Sequence, residues 1–241
     1  MARRHARARL RARPVRPPGA TAGPGIQPLG LGSQRDGVVY APPSYQAGRP
    51  APLILTLHGA GGSARRSLPR LQPLADEHGL LLLSIDARDR TWDVVLRGYG
   101  PDVAFIEAAL AQTFSRYTVD PGRLAVEGFS DGASYALGLG LSNGDLFTHV
   151  LAFSPGFVPL VEDEGLPRVF ISHGTGDPVL PIEQCSRRIV PELRRRRYDV
   201  RYVEFEGGHV VPPAIAREGL GWFLQESRVE GQVSRLPLLD S

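Results

Sequence analysis

Short, almost continuously apolar segments alternate with longer segments of helical spacing along most of the chain. The segments at 53–57 and 80–85 are typical of strands that are buried on both faces of a sheet. At 102–117 the apolar residues instead recur at helical intervals. This alternation predicts an α/β fold with a mostly parallel central sheet and helices on both of its faces. Strands are predicted at 37–40, 53–57, 80–85, 123–129, 150–153, 168–172 and 199–205, and helices at 67–78, 102–117, 131–141, 182–197 and 212–225.

The predicted elements form one domain with a further segment at each end. A chain of 241 residues is within the size that one α/β domain reaches before it divides. Residues 1–32 are rich in Arg, Pro and Gly, which predicts a disordered tail. The folded domain is then expected over 33–226, with a C-terminal tail over 227–241. Only the twelve residues 156–167 separate the fourth and fifth buried strands, so no cap domain is expected.

The positive charge of the chain is concentrated near its N-terminus. Residues 1–16 contain seven arginines and no acidic residue, so the remainder of a chain whose net charge is +3 carries −4. A run of like charges can bind phosphate, but no aromatic residue is interleaved with these arginines to stack on bases. We therefore expect no nucleic-acid partner.

Composition excludes several chemistries. Cys185 is the sole cysteine and has no Cys/His cluster around it, so neither an intramolecular disulfide nor a metal site is expected. The chain has no lysine, which excludes Schiff-base catalysis, and nothing indicates a cofactor. No stretch approaches the ~20 apolar residues of a membrane span. The apolar core of a secretory signal is also missing, so we expect a cytoplasmic protein.

Two segments match the pattern Gly-x-Ser-x-Gly, at 128–132 and at 140–144. The pattern marks a nucleophilic serine only where the serine lies on a sharp turn between a strand and a helix. Ser130 follows the apolar strand at 123–129 and precedes a helical segment. Ser142 instead follows that helix and belongs to its C-terminal end. The sequence therefore predicts Ser130 as the nucleophile and a structural role for Ser142.

A serine hydroxyl needs a histidine base that a carboxylate orients, and with this type of turn the order along the chain is Ser, acid, His. His209 follows the last predicted strand within Gly-Gly-His, and Asp177 lies in the loop that leaves the preceding strand. Because catalytic groups collect at the carboxyl ends of parallel strands, we expect Asp177 and His209 to complete a triad with Ser130. His149 and His173 are expected to be structural.

The negative charge that develops on a substrate oxygen requires hydrogen-bond donors already in place. One is the backbone N–H of Asp131, directly after the nucleophile and at a helix N-terminus. The second donor of this oxyanion hole is expected from the loop His-Gly-Ala-Gly-Gly at 58–62, with Ala60 as the first choice and Gly61 as the alternative. This loop lacks the Gly-Lys-Ser/Thr ending of a phosphate-binding loop, so phosphate binding is not expected.

Together these motifs resemble the phospholipase/carboxylesterase family of α/β-hydrolases. The resemblance covers about 38–224 and rests on the Leu-His-Gly-x-Gly-Gly loop, the Gly-Phe-Ser-x-Gly turn, the His-Gly-x-x-Asp-Pro-Val-x-Pro loop and the Gly-Gly-His loop. It implies an α/β-hydrolase fold and carries the family's triad onto Ser130, Asp177 and His209. The thioesterase-like members usually have Gln-Gly-Gly after the serine. Here Asp-Gly-Ala at 131–133 is closer to bacterial esterases similar to feruloyl esterases and polyester depolymerases.

The resemblance implies a serine carboxylesterase that hydrolyses short-chain or aryl esters, with a small-molecule ester as its partner. Alternatives are an acyl-thioesterase or lysophospholipase-like hydrolase and a non-catalytic binding protein with the α/β-hydrolase fold. A peptidase is disfavoured because such proteins usually carry an extra propeller or cap. Candidate walls of the substrate pocket are Trp92, Tyr135 and Phe157. Without a cap domain the site is expected to be open and shallow.

Overall fold

A sheet of eight strands organises the described part of the chain. The computed structural model describes residues 8–15, 22–32, 34–96 and 98–225. The strands are β1 (Gly25–Pro28), β2 (Gly37–Ala41), β3 (Ala51–Leu57), β4 (Leu81–Ile85), β5 (Val119–Phe129), β6 (His149–Phe153), β7 (Arg168–Gly174) and β8 (Val200–Phe205). The helices are α1 (Ala64–His78), α2 (Asp93–Leu96), α3 (Pro101–Arg116), α4 (Asp131–Leu141), α5 (Ser186–Arg195) and α6 (Pro213–Leu224).

The sheet is mostly parallel, as the sequence predicts. Its strand order is β1-β2-β4-β3-β5-β6-β7-β8. From β4 to β8 in this order every neighbouring pair is parallel, whereas β2 runs antiparallel to both β1 and β4. Parallel neighbours need long crossover connections, which the helices supply. The predicted fold class is therefore confirmed.

The central strand β3 shows why its sequence is apolar on both faces. Leu53, Leu55 and Leu57 face one core, which they share with side chains of α3, α4 and α5. Ile54 points to the opposite face, where α1 and α6 close a second core. All four side chains are fully buried. A strand covered by helices on both faces cannot show the alternation of a half-exposed strand, so its run is continuous.

The expectation that residues 1–32 form a disordered tail is wrong for the residues of this segment that the structure describes. Ala8 and Leu10 are buried and belong to the core on the side of α3 and α4. The backbone N–H of Leu10 donates to Oδ1 of Asn143 at 2.7 Å, and the Asn143 side chain donates to the carbonyl of Ala8 at 2.6 Å. Further along, β1 adds an antiparallel edge strand to the sheet.

The composition of this segment concealed its partners. Arg9 forms a bidentate pair with Asp145, with N–O distances of 2.9 and 3.0 Å, and Arg13 contacts the same carboxylate. An Arg-rich stretch predicts disorder when the residues that accept its hydrogen bonds are unknown. Asp145 could not be identified as that acceptor because it lies more than 130 residues from Arg9 in the sequence. The predicted C-terminal tail at 227–241 lies outside the described residues.

Among the described residues, no cap domain covers the edge of the sheet where β5, β7 and β8 end. The connection at 156–167, which follows β6, contains no helix, in agreement with the sequence. Helices begin directly after β5 and after the loop that follows β7, so the chain turns at this edge and places loops there. Among the residues described, no helix is long and apolar enough to cross a membrane.

Candidate active site

Ser130 occupies a strained turn between β5 and α4. Its backbone has φ 57° and ψ −121°, which is a region that residues with a side chain rarely adopt. Two glycines permit the turn. A Cβ on Gly128 would lie 2.1 Å from the carbonyl oxygen of Gly132, and a Cβ on Gly132 would lie 2.3 Å from that of Leu57. The Gly-x-Ser-x-Gly pattern thus reflects close backbone contact on both sides of the serine.

Three strands deliver the polar side chains that meet at this turn. Nε2 of His209, in the loop after β8, lies 2.8 Å from Oγ of Ser130. Nδ1 of His209 lies 2.6 Å from Oδ2 of Asp177, in the loop after β7. A carboxylate can only accept at Nδ1, so this nitrogen carries the proton and Nε2 accepts from the serine hydroxyl. The structure brings together the three residues that the sequence nominates as a triad.

The acid and histidine loops are joined through their glycines. The N–H of Gly176 donates to the carbonyl of Gly207 at 2.9 Å. A Cβ on Gly174 would lie 2.4 Å from the carbonyl oxygen of Gly208 and 2.5 Å from that of Gly207. Only glycine allows this approach, which fixes the distance between Asp177 and His209. The glycines in His-Gly-x-x-Asp and Gly-Gly-His therefore serve the geometry of the triad.

Asp177 is buried and well supplied with donors. Its Oδ1 accepts from the N–H groups of Val179 and Leu180, each at 2.9 Å. Burial raises the pKa of Asp177. The hydrogen bonds from Leu180, His209 and Val179 together lower the pKa by more than burial raises it, so the pKa lies below the ordinary value for Asp. Asp177 is therefore a carboxylate over the neutral pH range and can orient His209.

His173 contacts the loop that carries Asp177 and is a structural residue, as the sequence suggests. Its Nε2 lies 2.8 Å from the carbonyl of Leu180 and 3.3 Å from Oδ2 of Asp177. Its Nδ1 lies 2.6 Å from Oγ of Ser186. Burial lowers the pKa of His173, and the ring is fully enclosed. The His-Gly pair at the end of β7 was the sequence feature that could have revealed this contact.

Two backbone N–H groups near the nucleophile have no protein partner among the described residues. Among the described residues, neither the N–H of Ala60 nor that of Asp131 donates to a protein acceptor. The 58–62 loop is close to the nucleophile, since a Cβ on Gly59 would lie 3.4 Å from Cβ of Ser130. The alternative donor, Gly61, is engaged, because its N–H donates to the carbonyl of Arg90 at 2.7 Å.

The ring of His58 braces the loop at 58–62, which is expected to supply an oxyanion-hole donor and is called the oxyanion loop below. Its Nδ1 donates to the carbonyl of Gly59 at 2.7 Å, and its Nε2 accepts from the N–H of Ala87 at 3.0 Å. Burial lowers the pKa of His58, which favours the neutral ring that this pattern requires. The ring of Trp92 packs against it with a centroid separation of 5.0 Å.

Two of the three proposed pocket walls belong to the core. Trp92 and Tyr135 are fully buried and stack on each other at 5.0 Å, so they are not walls of an open pocket. Their aromatic character reflects packing beneath the oxyanion loop. Phe157 is 40% exposed, and its backbone N–H donates to Oγ of Ser134 on α4, so it stays a candidate wall of the pocket.

Exposed apolar side chains beside the triad were missed by the sequence reasoning. Val179 is 61% exposed and Val210 is 51% exposed. Val179 follows the acid by two residues, and Val210 directly follows His209. An apolar residue in a loop beside a predicted triad residue has no core to fill. This position in the sequence was the signal that could have predicted Val179 and Val210 as exposed apolar residues at the site. The described residues contain no group of His, Cys, Asp and Glu that could hold a metal ion.

Ser142 is placed as the sequence predicts, at the end of α4. It is buried, and its carbonyl accepts from Arg9 at 2.7 Å. Among the described residues it has no histidine partner. The second match to Gly-x-Ser-x-Gly is therefore the C-terminal end of a helix.

Comparison with solved structures assigns the fold. A ferulic acid esterase from Anaeromyces mucronatus superposes with a TM-score of 0.66 at 20% identity, and the match covers 85% of this chain and 90% of that one. The serine hydrolase FphF from Staphylococcus aureus gives a TM-score of 0.68 at 15% identity, over 85% of this chain and 100% of that one. The chain has the α/β-hydrolase fold. No family model matches its sequence.

Curated relatives are esterases of low identity. A probable feruloyl esterase C from Aspergillus oryzae is 27% identical over 160 residues, which are 63% of this chain. The chain thereby spans 58% of the length of that relative. A putative esterase from Nocardia uniformis subsp. tsuyamanensis is 30% identical over 156 residues, which are 60% of this chain and 44% of the relative.

Proposed function

We propose that this chain is a serine carboxylesterase in which Ser130 is the nucleophile, His209 the general base and Asp177 the residue that orients it. One observation carries the proposal: the continuous hydrogen-bond series from Oγ of Ser130 through His209 to Asp177, with distances of 2.8 and 2.6 Å. It lies at a strained turn, where Ser130 adopts a backbone conformation that carries a free-energy cost.

The reaction follows from this geometry. Oγ of Ser130 attacks the ester carbonyl as Nε2 of His209 takes the hydroxyl proton. The tetrahedral intermediate collapses, His209 gives the proton to the leaving alcohol, and an acyl group remains on Ser130. Water then loses a proton to His209 and attacks this acyl group. The carboxylic acid leaves, and the proton returns to Ser130.

The backbone N–H groups of Ala60 and Asp131 are the proposed donors to the oxyanion. Their lack of protein partners supports this role, because a preorganised donor must be free before the substrate arrives. The N–H of Asp131 also lies at the start of α4, where the helix dipole favours negative charge.

The proposed substrates are small esters with a short acyl or an aryl group. Phe157, Val179 and Val210 offer exposed apolar surface for such a group. The curated relatives from Aspergillus are named as probable feruloyl esterases, which favours aryl esters among the candidates. Methyl ferulate and p-nitrophenyl acetate are therefore the first substrates to test.

Replacement of Ser130 with Ala tests the proposal. We expect kcat for p-nitrophenyl acetate to fall by about 10⁶-fold or to background, as for triad knockouts in a well-studied protease. The melting temperature should stay close to that of the wild type, since only one hydroxyl is removed and the backbone of the turn is kept. Ser142→Ala is the matched control and should keep full activity. Activity of Ser130→Ala within tenfold of the wild type would overturn the proposal.

We propose the cytoplasm as the compartment. The single cysteine, Cys185, is free and buried, so the fold does not depend on an oxidising compartment. Cell fractionation with an antibody to the chain tests this, and recovery from the culture medium would contradict it.

A further inference from the structure

Three consecutive residues after β4 contact both halves of the proposed oxyanion hole. The carbonyl of Arg90 accepts from the N–H of Gly61 at 2.7 Å. The indole N–H of Trp92 donates to the carbonyl of His58 at 2.8 Å. These two bonds hold the oxyanion loop on either side of Ala60, whose N–H is one proposed donor.

The residue between them contacts the other half. Oγ1 of Thr91 donates to Oδ2 of Asp131 at 2.6 Å. Asp131 supplies the second proposed donor through its backbone N–H. Thr91 is 4% exposed, so water does not compete effectively for its hydroxyl. The bond therefore links the start of α4 to the same short segment that holds the 58–62 loop.

We propose that Thr91 is a positioning residue for the oxyanion hole and acts through the side chain of Asp131. This inference rests on the proposed function. The segment Arg90-Thr91-Trp92 sets the separation of the Ala60 and Asp131 N–H groups, because each of its residues is bonded to one side of the hole or the other. A donor must lie within about 2.7–3.1 Å of the oxyanion. A small displacement of Asp131 therefore reduces the stabilisation of the transition state more than it reduces the binding of the substrate.

Two substitutions separate this role from simple packing. Thr91→Val keeps the volume and removes the hydroxyl, whereas Thr91→Ser keeps the hydroxyl. We expect Thr91→Val to lower kcat for p-nitrophenyl acetate by about 10- to 100-fold with KM changed less than about threefold. This is less than the roughly 10²- to 10³-fold loss when a donor is removed. Thr91→Ser should recover kcat to within about threefold of the wild type.

A buried threonine far from the site is the control. Thr113 is fully buried and its hydroxyl donates to the carbonyl of Ala109 within α3 at 2.7 Å. Thr113→Val removes a comparable buried hydroxyl and should leave kcat and KM unchanged. A general effect of losing a buried hydrogen bond would appear in both variants.

Coupling to Asp131 provides the sharpest test. In an Asp131→Ala background the side-chain acceptor is gone, so Thr91→Val should have little further effect on kcat. A trifluoromethyl ketone, whose adduct with the serine places an oxyanion in the hole, should lose affinity in Thr91→Val by the same factor as kcat/KM.

The inference is overturned if Thr91→Val keeps kcat within threefold of the wild type, if kcat and KM change together, or if Thr91→Ser fails to recover kcat. It is also overturned if the effects of Thr91→Val and Asp131→Ala simply multiply. If Ser130→Ala abolishes hydrolysis and one of these results is also found, only the role of Thr91 is contradicted and the proposed function stands. Activity retained in Ser130→Ala contradicts the proposed function itself.

Discussion

Buried ionisable side chains outside the site affect the stability of the molecule as the pH changes. His149 begins β6 and packs edge-on against Trp222 and Phe223 of α6, with centroid separations of 5.3 and 5.2 Å. Burial, and to a lesser degree the charge of Arg168, lowers its pKa from 6.5 to about 4. The folded state therefore resists a proton that the unfolded chain takes up readily.

The sign of the effect follows from this difference. Above pH 6.5 both states hold neutral His149 and it has no influence, whereas between pH 6.5 and about 4 only the unfolded state is protonated and stability is lost. The full loss is about 3 kcal/mol at 1.36 kcal/mol per pKa unit. In His149→Phe the free energy of unfolding should fall less steeply over this range.

Glu127 makes this comparison necessary. Burial raises its pKa to about 7 against the effect of Arg70, so it favours the folded state as the pH falls. The wild-type curve contains both effects, and subtraction of the His149→Phe curve isolates that of His149. Urea unfolding at several pH values between 4 and 8 provides the measurement. Parallel curves for the two proteins would contradict the assignment.

Single residues also show where sequence reasoning reaches its limit. Ser130, Asp177 and His209 could be nominated because each follows a predicted strand, and the carboxyl ends of parallel strands meet at one edge. Trp92 could not be assigned as a core residue in this way. Its indole N–H reaches the carbonyl of His58 because β3 and β4 are neighbours in the sheet. The order of strands in a sheet cannot be predicted from the local spacing of apolar residues.

At the scale of elements, the N-terminal segment is the part that the sequence described poorly. Composition predicts disorder, but specific contacts decide the outcome: the buried side chain of Leu10 and the bonds of Asn143 to the backbone of residues 8 and 10. Such contacts join positions more than 130 residues apart and leave no periodic signal. By contrast, β3 and α4 were predictable because their apolar spacing reports burial directly.

Replacement of Leu10 with Ala tests whether this segment stabilises the fold. Truncation of a buried leucine costs about 2–5 kcal/mol, which corresponds to a decrease in melting temperature of roughly 5–15 °C for a domain of this size. Arg11→Ala is the control, because the Arg11 side chain is exposed and should leave the melting temperature unchanged. Equal melting temperatures for the two variants in differential scanning calorimetry would show that the segment does not contribute.

At the scale of the whole molecule, the open edge of the sheet sets the expected range of substrates. The 156–167 connection contains no helix that could cover Ser130, and the exposed apolar side chains that adjoin the triad in sequence are Val179 and Val210. A buried CH₂ contributes about 0.8 kcal/mol only where a wall exists to cover it. Long acyl chains should therefore gain little affinity beyond the first few carbons.

A series of p-nitrophenyl esters checks this expectation. Acetate to hexanoate esters should have the highest kcat/KM, and the rate should follow ordinary saturation with no increase when the substrate exceeds its solubility. Highest efficiency with laurate or palmitate would require a long apolar channel and would contradict the expectation of an open, shallow site.

The central claim is that an acyl group forms on Ser130. The most direct measurement is rapid acid quenching of the enzyme during turnover of p-nitrophenyl acetate, followed by peptide mass mapping. His209→Gln should be used alongside the wild type as a control, because loss of the base slows acylation as well as deacylation and little acetyl-enzyme should form. We predict one acetyl group, located on the peptide that contains Ser130 and absent in Ser130→Ala. Acetyl on Ser142 or Cys185, or turnover without any acyl-enzyme on Ser130, would contradict the account.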